Sequence, residues 1–228
     1  MENLTEVFLI RHSKKINQEL IDNTKNTEYF QTRREKIVLS IEGERRAEKL
    51  SKLDIFNNLD IIFSSNYART IQTAKYLAES KNLVIHVDER FNERKFGIRG
   101  EEDITIKQYY DENLKNPEGE CRKEVSTRME EAFWDVIHNN KGKKIAIFTH
   151  GASMTFLLMN WCKLENISKE KRKTLSFNNK IIVDKVFNEP EVFKITLDGE
   201  NKIIKIENIE VELWYIHQNM NQNLERYF

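Results

Sequence analysis

Four residues able to handle a phosphoryl group stand just beyond the ends of three apolar runs. Arg11 and His12 follow Val7-Phe8-Leu9-Ile10. Arg69 comes shortly after Ile61-Ile62-Phe63-Ser64-Ser65. His150 follows Ile145-Ala146-Ile147-Phe148-Thr149. Arginine is rarely buried without an anionic partner, and imidazole changes its charge close to neutral pH. In an open α/β sheet, ligands bind beyond the carboxyl ends of parallel strands. If the three runs are neighbouring strands, two guanidinium groups and two imidazoles converge there, a donor set suited to phosphate oxygens. One histidine after a strand would more often be a core residue. Two at equivalent positions, one beside an arginine, change that weighting.

Other chemistries find no support in the sequence. It has no Gly-rich nucleotide loop, no His-Glu-x-x-His or paired-cysteine zinc motif, and no Gly-x-Ser-x-Gly elbow. A metal held by His12, His150 and a carboxylate would be repelled by the flanking arginines. No metal and no cofactor are therefore expected.

The elements that would carry these residues alternate between strands and helices. Residues 6–10 read as a strand, and residues 17–37 as a polar excursion over the sheet. Ser40 reads as the N-cap of a helix with Ala47, Leu50 and Leu53 on its apolar stripe. Residues 61–65 read as a strand, 67–80 as a helix, 83–87 as a short strand and 91–100 as a loop. Residues 101–122 form a second polar insert. Residues 124–140 carry apolar side chains at helical spacing, 144–148 form a strand, and 152–162 an apolar helix. Residues 192–206 read as a hairpin turning at Asp198-Gly199, followed by an aromatic, amide-rich extension over 210–228. This pattern predicts an α/β fold: a three-layer α/β/α sandwich with a mostly parallel central sheet and a C-terminal antiparallel hairpin. With 228 residues and no Pro/Gly/Ser-rich linker, a single domain is expected.

Composition narrows the partners. Lys+Arg and Asp+Glu both number 37, giving a formal net charge of +0, which argues against a general nucleic-acid binder. No run approaches membrane-spanning length, and the acidic, polar start is no secretory signal. Cys121 and Cys162 are far apart and read as reduced thiols, so a cytoplasmic protein is expected. A small phosphorylated metabolite is the expected partner, with neither nucleic acid nor membrane. An exposed Trp214 or Tyr215 would offer a homodimer contact.

Five segments, in order, resemble the histidine phosphatase superfamily, the phosphoglycerate-mutase-like proteins. They are Val7-Phe8-Leu9-Ile10-Arg11-His12, Phe63 to Ala74 with its Ser64-Ser65 and Gln72-Thr73-Ala74, Asp88 to Gly97, Gly119-Glu120 with Arg128 beyond, and Phe148-Thr149-His150-Gly151. The resemblance implies that His12 is the nucleophile and forms a phosphohistidine. It implies that Arg11, Arg69 and His150 hold the phosphoryl oxygens, and that Glu93 protonates the leaving oxygen and then activates water. Glu89, Glu101 and Glu102 are the fallback acids. The arginines should lower the pKa of His12, and burial or the phosphate should raise that of Glu93. Ser13, Asn17, Arg94 and Gly151 are the candidate substrate contacts.

The chain departs from the family pattern in places. Ser13 replaces the usual Gly and would crowd the pocket or add a hydroxyl. Asn17 falls one position early, and Arg46 stands where Gln is common, on a helix surface. Lys14, Lys15, Arg94, Lys95 and Arg99 would form a cationic rim or a solvated face. Residues 101–122 contain only Arg122, without the paired arginines of the glycolytic mutases. The expected function is a metal-independent phosphatase acting on phosphomonoesters. The alternatives are a phosphoglycerate-mutase-like phosphotransferase and a catalytically silent phospho-ligand binder.

Overall fold

Val7, Phe8, Leu9 and Ile10 are all buried because their strand lies inside a sheet covered on both faces, where a continuous apolar run replaces strict alternation. The computed structural model describes residues 4–17, 34–98 and 103–211. Its strands are β1 (Thr5–Arg11), β2 (Ile61–Ser64), β3 (Ile85–Val87), β4 (Lys144–Thr149), β5 (Lys163–Ile167), β6 (Arg172–Phe177), β7 (Lys180–Val186), β8 (Val192–Leu197) and β9 (Ile203–Ile209). Its α-helices are α1 (Ile41–Ser51), α2 (Ala68–Lys81), α3 (Arg122–Asn139) and α4 (Gly151–Leu158).

The larger sheet has the order β3-β2-β4-β1-β8-β9. The first four strands are parallel and the last two antiparallel. Arg11 lies opposite Thr149, and Ser64 opposite Phe148. The carboxyl ends of β1, β2 and β4 therefore sit side by side. Alternate residues divide between the two faces. Val7, Leu9, Ile145 and Ile147 pack with Val125, Met129 and Phe133 of α3 and Phe156 and Leu157 of α4. Phe8, Ile10, Ala146 and Phe148 pack with Leu50 of α1 and Ala74 and Leu77 of α2. These are the three expected layers.

Caps set the helix starts. The Ser40 hydroxyl accepts from the Gly43 N–H at 3.0 Å, the N-cap read from the sequence. The Glu124 carboxylate accepts from the Cys121 N–H at 2.8 Å, so α3 begins two residues before the apolar periodicity does. The apolar stretch 152–162 is helical only to Leu158. Trp161 and Cys162 continue into the same core as a turn, and the chain then enters β5.

Two strand features differ from expectation. Strands β5, β6 and β7 form a separate antiparallel sheet where no element was expected. The β6–β7 turn is Asn178-Asn179, both with positive φ, as a two-residue turn with the twist of a hairpin requires. The C-terminal hairpin is present, but its turn is longer than Asp198-Gly199. The Asp198 carboxylate accepts from the Glu200 and Lys202 N–H groups, and Asn201 takes the left-handed conformation. The second insert is not wholly polar, because Tyr109 lies in the core with Ile106 packed against it. Among the described residues, no helix is long and apolar enough to cross a membrane.

Candidate active site

His12 leaves β1 at the sheet's carboxyl edge, where its N–H donates to Thr149 O at 2.9 Å. It is buried, and its Nδ1 lies 2.8 Å from Ser13 O. A carbonyl only accepts, so Nδ1 carries the proton and the lone pair is on Nε2. Burial first, then the charges of Arg69 and Arg11, hold His12 well below the ordinary histidine range, against a smaller opposite effect of the Ser13 carbonyl. The ring is a neutral base within the field of a cationic cluster, Arg69, Arg11 and Lys15.

His150 follows β4, its ring centroid 5.2 Å from that of His12. Its nitrogens can be assigned in sequence. Arg69 Nη2 is only a donor and lies 2.9 Å from Nδ1, so Nδ1 accepts. Nε2–H then donates to Ser65 Oγ at 2.8 Å. Ser65 donates onward to Thr70 Oγ1 at 2.7 Å, and Thr70 to Tyr67 O at 2.6 Å. Both nitrogens of His150 are thus engaged by protein. Through Nδ1, His150 also orients Arg69. Burial, then Arg69, holds His150 well below its ordinary pKa.

Each arginine keeps one donor in reserve. Arg11 donates from Nη1 to Phe187 O and Asn188 O at 2.9 and 3.0 Å, and from Nη2 to Glu189. Arg69 donates from Nη1 to Arg34 O at 2.7 Å and from Nη2 to His150. The buried Nε of each makes no hydrogen bond among the described residues. Buried donors are normally satisfied, so these two are available to an anionic ligand. Burial lowers the pKa of Arg69 to about 10, with Glu93 and Tyr67 opposing.

Glu93 joins the cluster from the loop after Phe91. Its Oε1 accepts from the Arg94 N–H at 2.9 Å and from the N–H and hydroxyl of Ser153 on α4 at 3.2 and 3.1 Å. Arg128 braces this loop from behind. It pairs with Glu120 through Nε and Nη2 at 2.8 and 2.9 Å and donates to the carbonyls of Arg90 and Asn92. The expectation of a raised pKa is corrected. Burial alone would raise it, but the Arg94 N–H and the charges of Arg94, Arg34 and Arg69 outweigh burial and hold Glu93 below the ordinary carboxylate value.

The candidate substrate contacts divide differently from expectation. Ser13 does not crowd the pocket, because its hydroxyl donates to Gly43 O at 2.7 Å. A Cβ at Gly43 would lie 1.9 Å from Lys14 O, so α1 can approach this loop only with glycine there. Gly151 makes room for Arg11, whose Nε would be 3.1 Å from a Cβ at that position. Arg94 is buried with its guanidinium 4.2 Å from the Phe96 ring centroid, beneath the surface and not on a rim. Asn17 is exposed, at the end of the first described stretch.

Of the supposed rim, Lys15 is half-buried, and its pKa is lowered by burial and then Arg69. Lys14 pairs with Glu42, and Lys95 is exposed. Arg46 does more than decorate a helix surface, since it donates to Glu189 O at 3.0 Å and steadies the loop that holds Arg11. The fallback acid Glu89 is exposed and accepts from Asn66. Arg99, Glu101, Glu102, Trp214 and Tyr215 lie outside the described residues.

Reasoning on sequence missed Arg34, the Ser65–Thr70 relay, Glu189 and Lys173. The buried Lys173 of β6 places Nζ 4.1 Å from the Phe187 ring centroid and 5.8 Å from that of Tyr109. Burial, then the charge of Arg11, lowers its amine to about 8, against the opposite pull of Glu93.

Known proteins share the sequence pattern and the fold of this chain. The sequence pattern of the histidine phosphatase superfamily (branch 1) matches residues 7–182. The chain belongs to that superfamily, and its enzyme class is phosphatase. It is 28% identical over 166 residues to a probable phosphoglycerate mutase GpmB of Yersinia enterocolitica, covering 68% of this chain and 74% of the relative. With the same-named protein of Yersinia pestis it is 29% identical over 127 residues, 51% of this chain and 59% of the relative. A mycobacterial glucosyl-3-phosphoglycerate phosphatase superposes with a TM-score of 0.64 at 17% identity, covering 91% of this chain and all of that one. A phosphoserine phosphatase of Entamoeba histolytica, solved with 3-phosphoglyceric acid, gives 0.57 at 18% identity, with 90% and 98% covered.

Proposed function

We propose that this protein hydrolyses phosphomonoesters, without a metal, through a phosphohistidine on His12. The observation that carries the reading is the neutral His12 ring, its Nδ1 proton tied to Ser13 O, beside the charges of Arg69 and Arg11, each of which keeps its Nε donor in reserve. In the first step His12 Nε2 attacks phosphorus and the ester P–O bond breaks. Glu93 passes a proton to the leaving oxygen. In the second step water attacks the phosphohistidine, the P–N bond breaks, and Glu93 takes the proton back. Covalent catalysis of this kind replaces one hard displacement with two easier ones, and the cations stabilise charge in place.

Glu93 is anionic in this structure at neutral pH, so its proton must arrive with the substrate. A phosphate dianion nearby raises the carboxyl pKa, or the ester enters as its monoanion. Ser13, which replaces the usual Gly, lends no support to a catalytically silent binder, because its hydroxyl donates to Gly43 O. The mutase reading is favoured by the names of the Yersinia relatives. It is disfavoured by Arg122, which faces Glu112 at 3.8 Å and has no paired arginine in the described insert.

The test uses phenyl phosphate with and without chelator, acid-quench trapping of labelled enzyme, and His12→Ala. Chelator-resistant turnover with an acid-labile label that is lost in His12→Ala is expected. Turnover by His12→Ala would refute the nucleophile. Phosphorus NMR with 3-phosphoglycerate separates hydrolysis, which releases inorganic phosphate, from isomerisation, which releases none.

A further inference from the structure

We propose that Lys173 determines specificity for the alcohol half of the substrate by receiving an anionic group, a carboxylate, carried on the leaving group. This rests on the proposed hydrolysis and adds a substrate class to it. Lys173 belongs to the separate β5–β6–β7 sheet, whose inner face also carries Leu175 and Val183 into the core. The alkyl stem follows that apolar face. The residue is 6% exposed, yet its ammonium makes no ion pair or hydrogen bond among the described residues. Its ammonium lies against two aromatic faces, with ring centroids at 4.1 Å for Phe187 and 5.8 Å for Tyr109. Aromatic faces tolerate a cation but do not neutralise it, and a buried unpaired charge is costly.

The position of this cation indicates what would pair with it. Phe187 supplies the carbonyl that holds Arg11, so the Lys173 head adjoins the phosphoryl-binding arginine. It also feels the charge of Glu93, the group assigned to the leaving oxygen. Lys173 therefore stands on the leaving-group side of the pocket. Arg11 and Arg69 already offer their Nε donors to the phosphoryl group. A second anionic group on the departing alcohol would give Lys173 the acceptor it lacks and would be held by charge-assisted hydrogen bonds.

Two measurements test the assignment. In the wild type, 4-(phosphonomethyl)benzoate is expected to bind at least tenfold more tightly than benzylphosphonate by calorimetry. Equal affinities overturn the proposal without any variant being made. The kcat/KM ratio of 4-carboxyphenyl phosphate to phenyl phosphate is expected to fall at least tenfold in Lys173→Met, with the melting temperature recorded in parallel. An unchanged ratio in folded Lys173→Met also overturns it. Selective phosphonate binding without turnover would refute the hydrolysis reading and leave Lys173 its role. Turnover with no selectivity would do the reverse. Failure to bind either phosphonate would remove both.

Discussion

His12 and Glu93 have both had their pKa values lowered, and the two shifts act in opposite directions on the chemistry. Lowering His12 keeps the nucleophile neutral well into the acid range. Lowering Glu93 removes the leaving-group proton at neutral pH. The reaction therefore needs a proton brought by the substrate, whose second ionisation lies near about pH 6. kcat/KM is expected to be highest on the acid side of neutrality and to fall as pH rises beyond that ionisation. A flat profile from pH 5 to 8 would remove Glu93 from the proton pathway. Glu93→Gln is expected to lower kcat on phenyl phosphate by about 10²–10⁴-fold. The loss should be smaller with 4-nitrophenyl phosphate, whose leaving oxygen needs no proton. Equal losses on both esters would make Glu93 a positioning residue only.

The sheet edge and the short helix α4 control how Arg11 meets its ligand. Gly151 opens α4, and the Arg11 side chain crosses where a Cβ would project. Alanine is the better helix former by about 1 kcal/mol in a helix interior, so Gly151→Ala should not cost helical stability. It should still displace an arginine pinned by three acceptors on residues 187–189. The expected outcome is an unchanged or higher melting temperature with phosphate affinity weakened severalfold by calorimetry. Unchanged affinity would mean that Arg11 can yield without losing its aim. The strands that carry Arg11, His12 and His150 were legible because β1 and β4 are central, where burial on both faces leaves an unbroken apolar run. Sheet β5–β7 was not legible, since it lies against the core on one face only. Its strands interrupt their apolar residues with Lys, Glu, Asp and Thr, and only Ile181-Ile182-Val183 and the Asn178-Asn179 turn stood out locally. Lys173 was missed with it. The bonds of Ser13 and Glu189 depend on α1 and the β7–β8 loop meeting β1, which no local pattern encodes.

Across the whole molecule, a chain with formal net charge +0 concentrates cations at one point, and the fold must keep that point folded. Arg11, Lys15, Arg34 and Arg69 act on two histidines, which the protein holds neutral mainly by burying them, and Arg94 and Lys173 face Glu93 nearby. That arrangement links stability to pH with a definite sign. An unfolded histidine takes up a proton near pH 6.5, whereas His12 and His150 in the folded chain take theirs only at distinctly lower pH. Between those values the unfolded chain binds more protons, so acid favours unfolding. The stabilisation is present above about pH 6.5 and is lost as pH falls below it, by up to about 1.4 kcal/mol per pH unit for each ring. Glu93 adds the same sign at still lower pH. Lys173 acts in a separate window, between about 8 and its ordinary 10.5, where stability rises with pH. Urea unfolding at pH 7.0 and 5.5 is therefore expected to give a lower free energy at the acid value. His150→Gln should flatten that slope, because glutamine can keep a bond to Arg69 or Ser65 but takes up no proton. If the wild type and His150→Gln change equally with pH, the His150 ring is titrating as freely in the folded chain as in the unfolded one, and a buried, neutral second histidine is wrong.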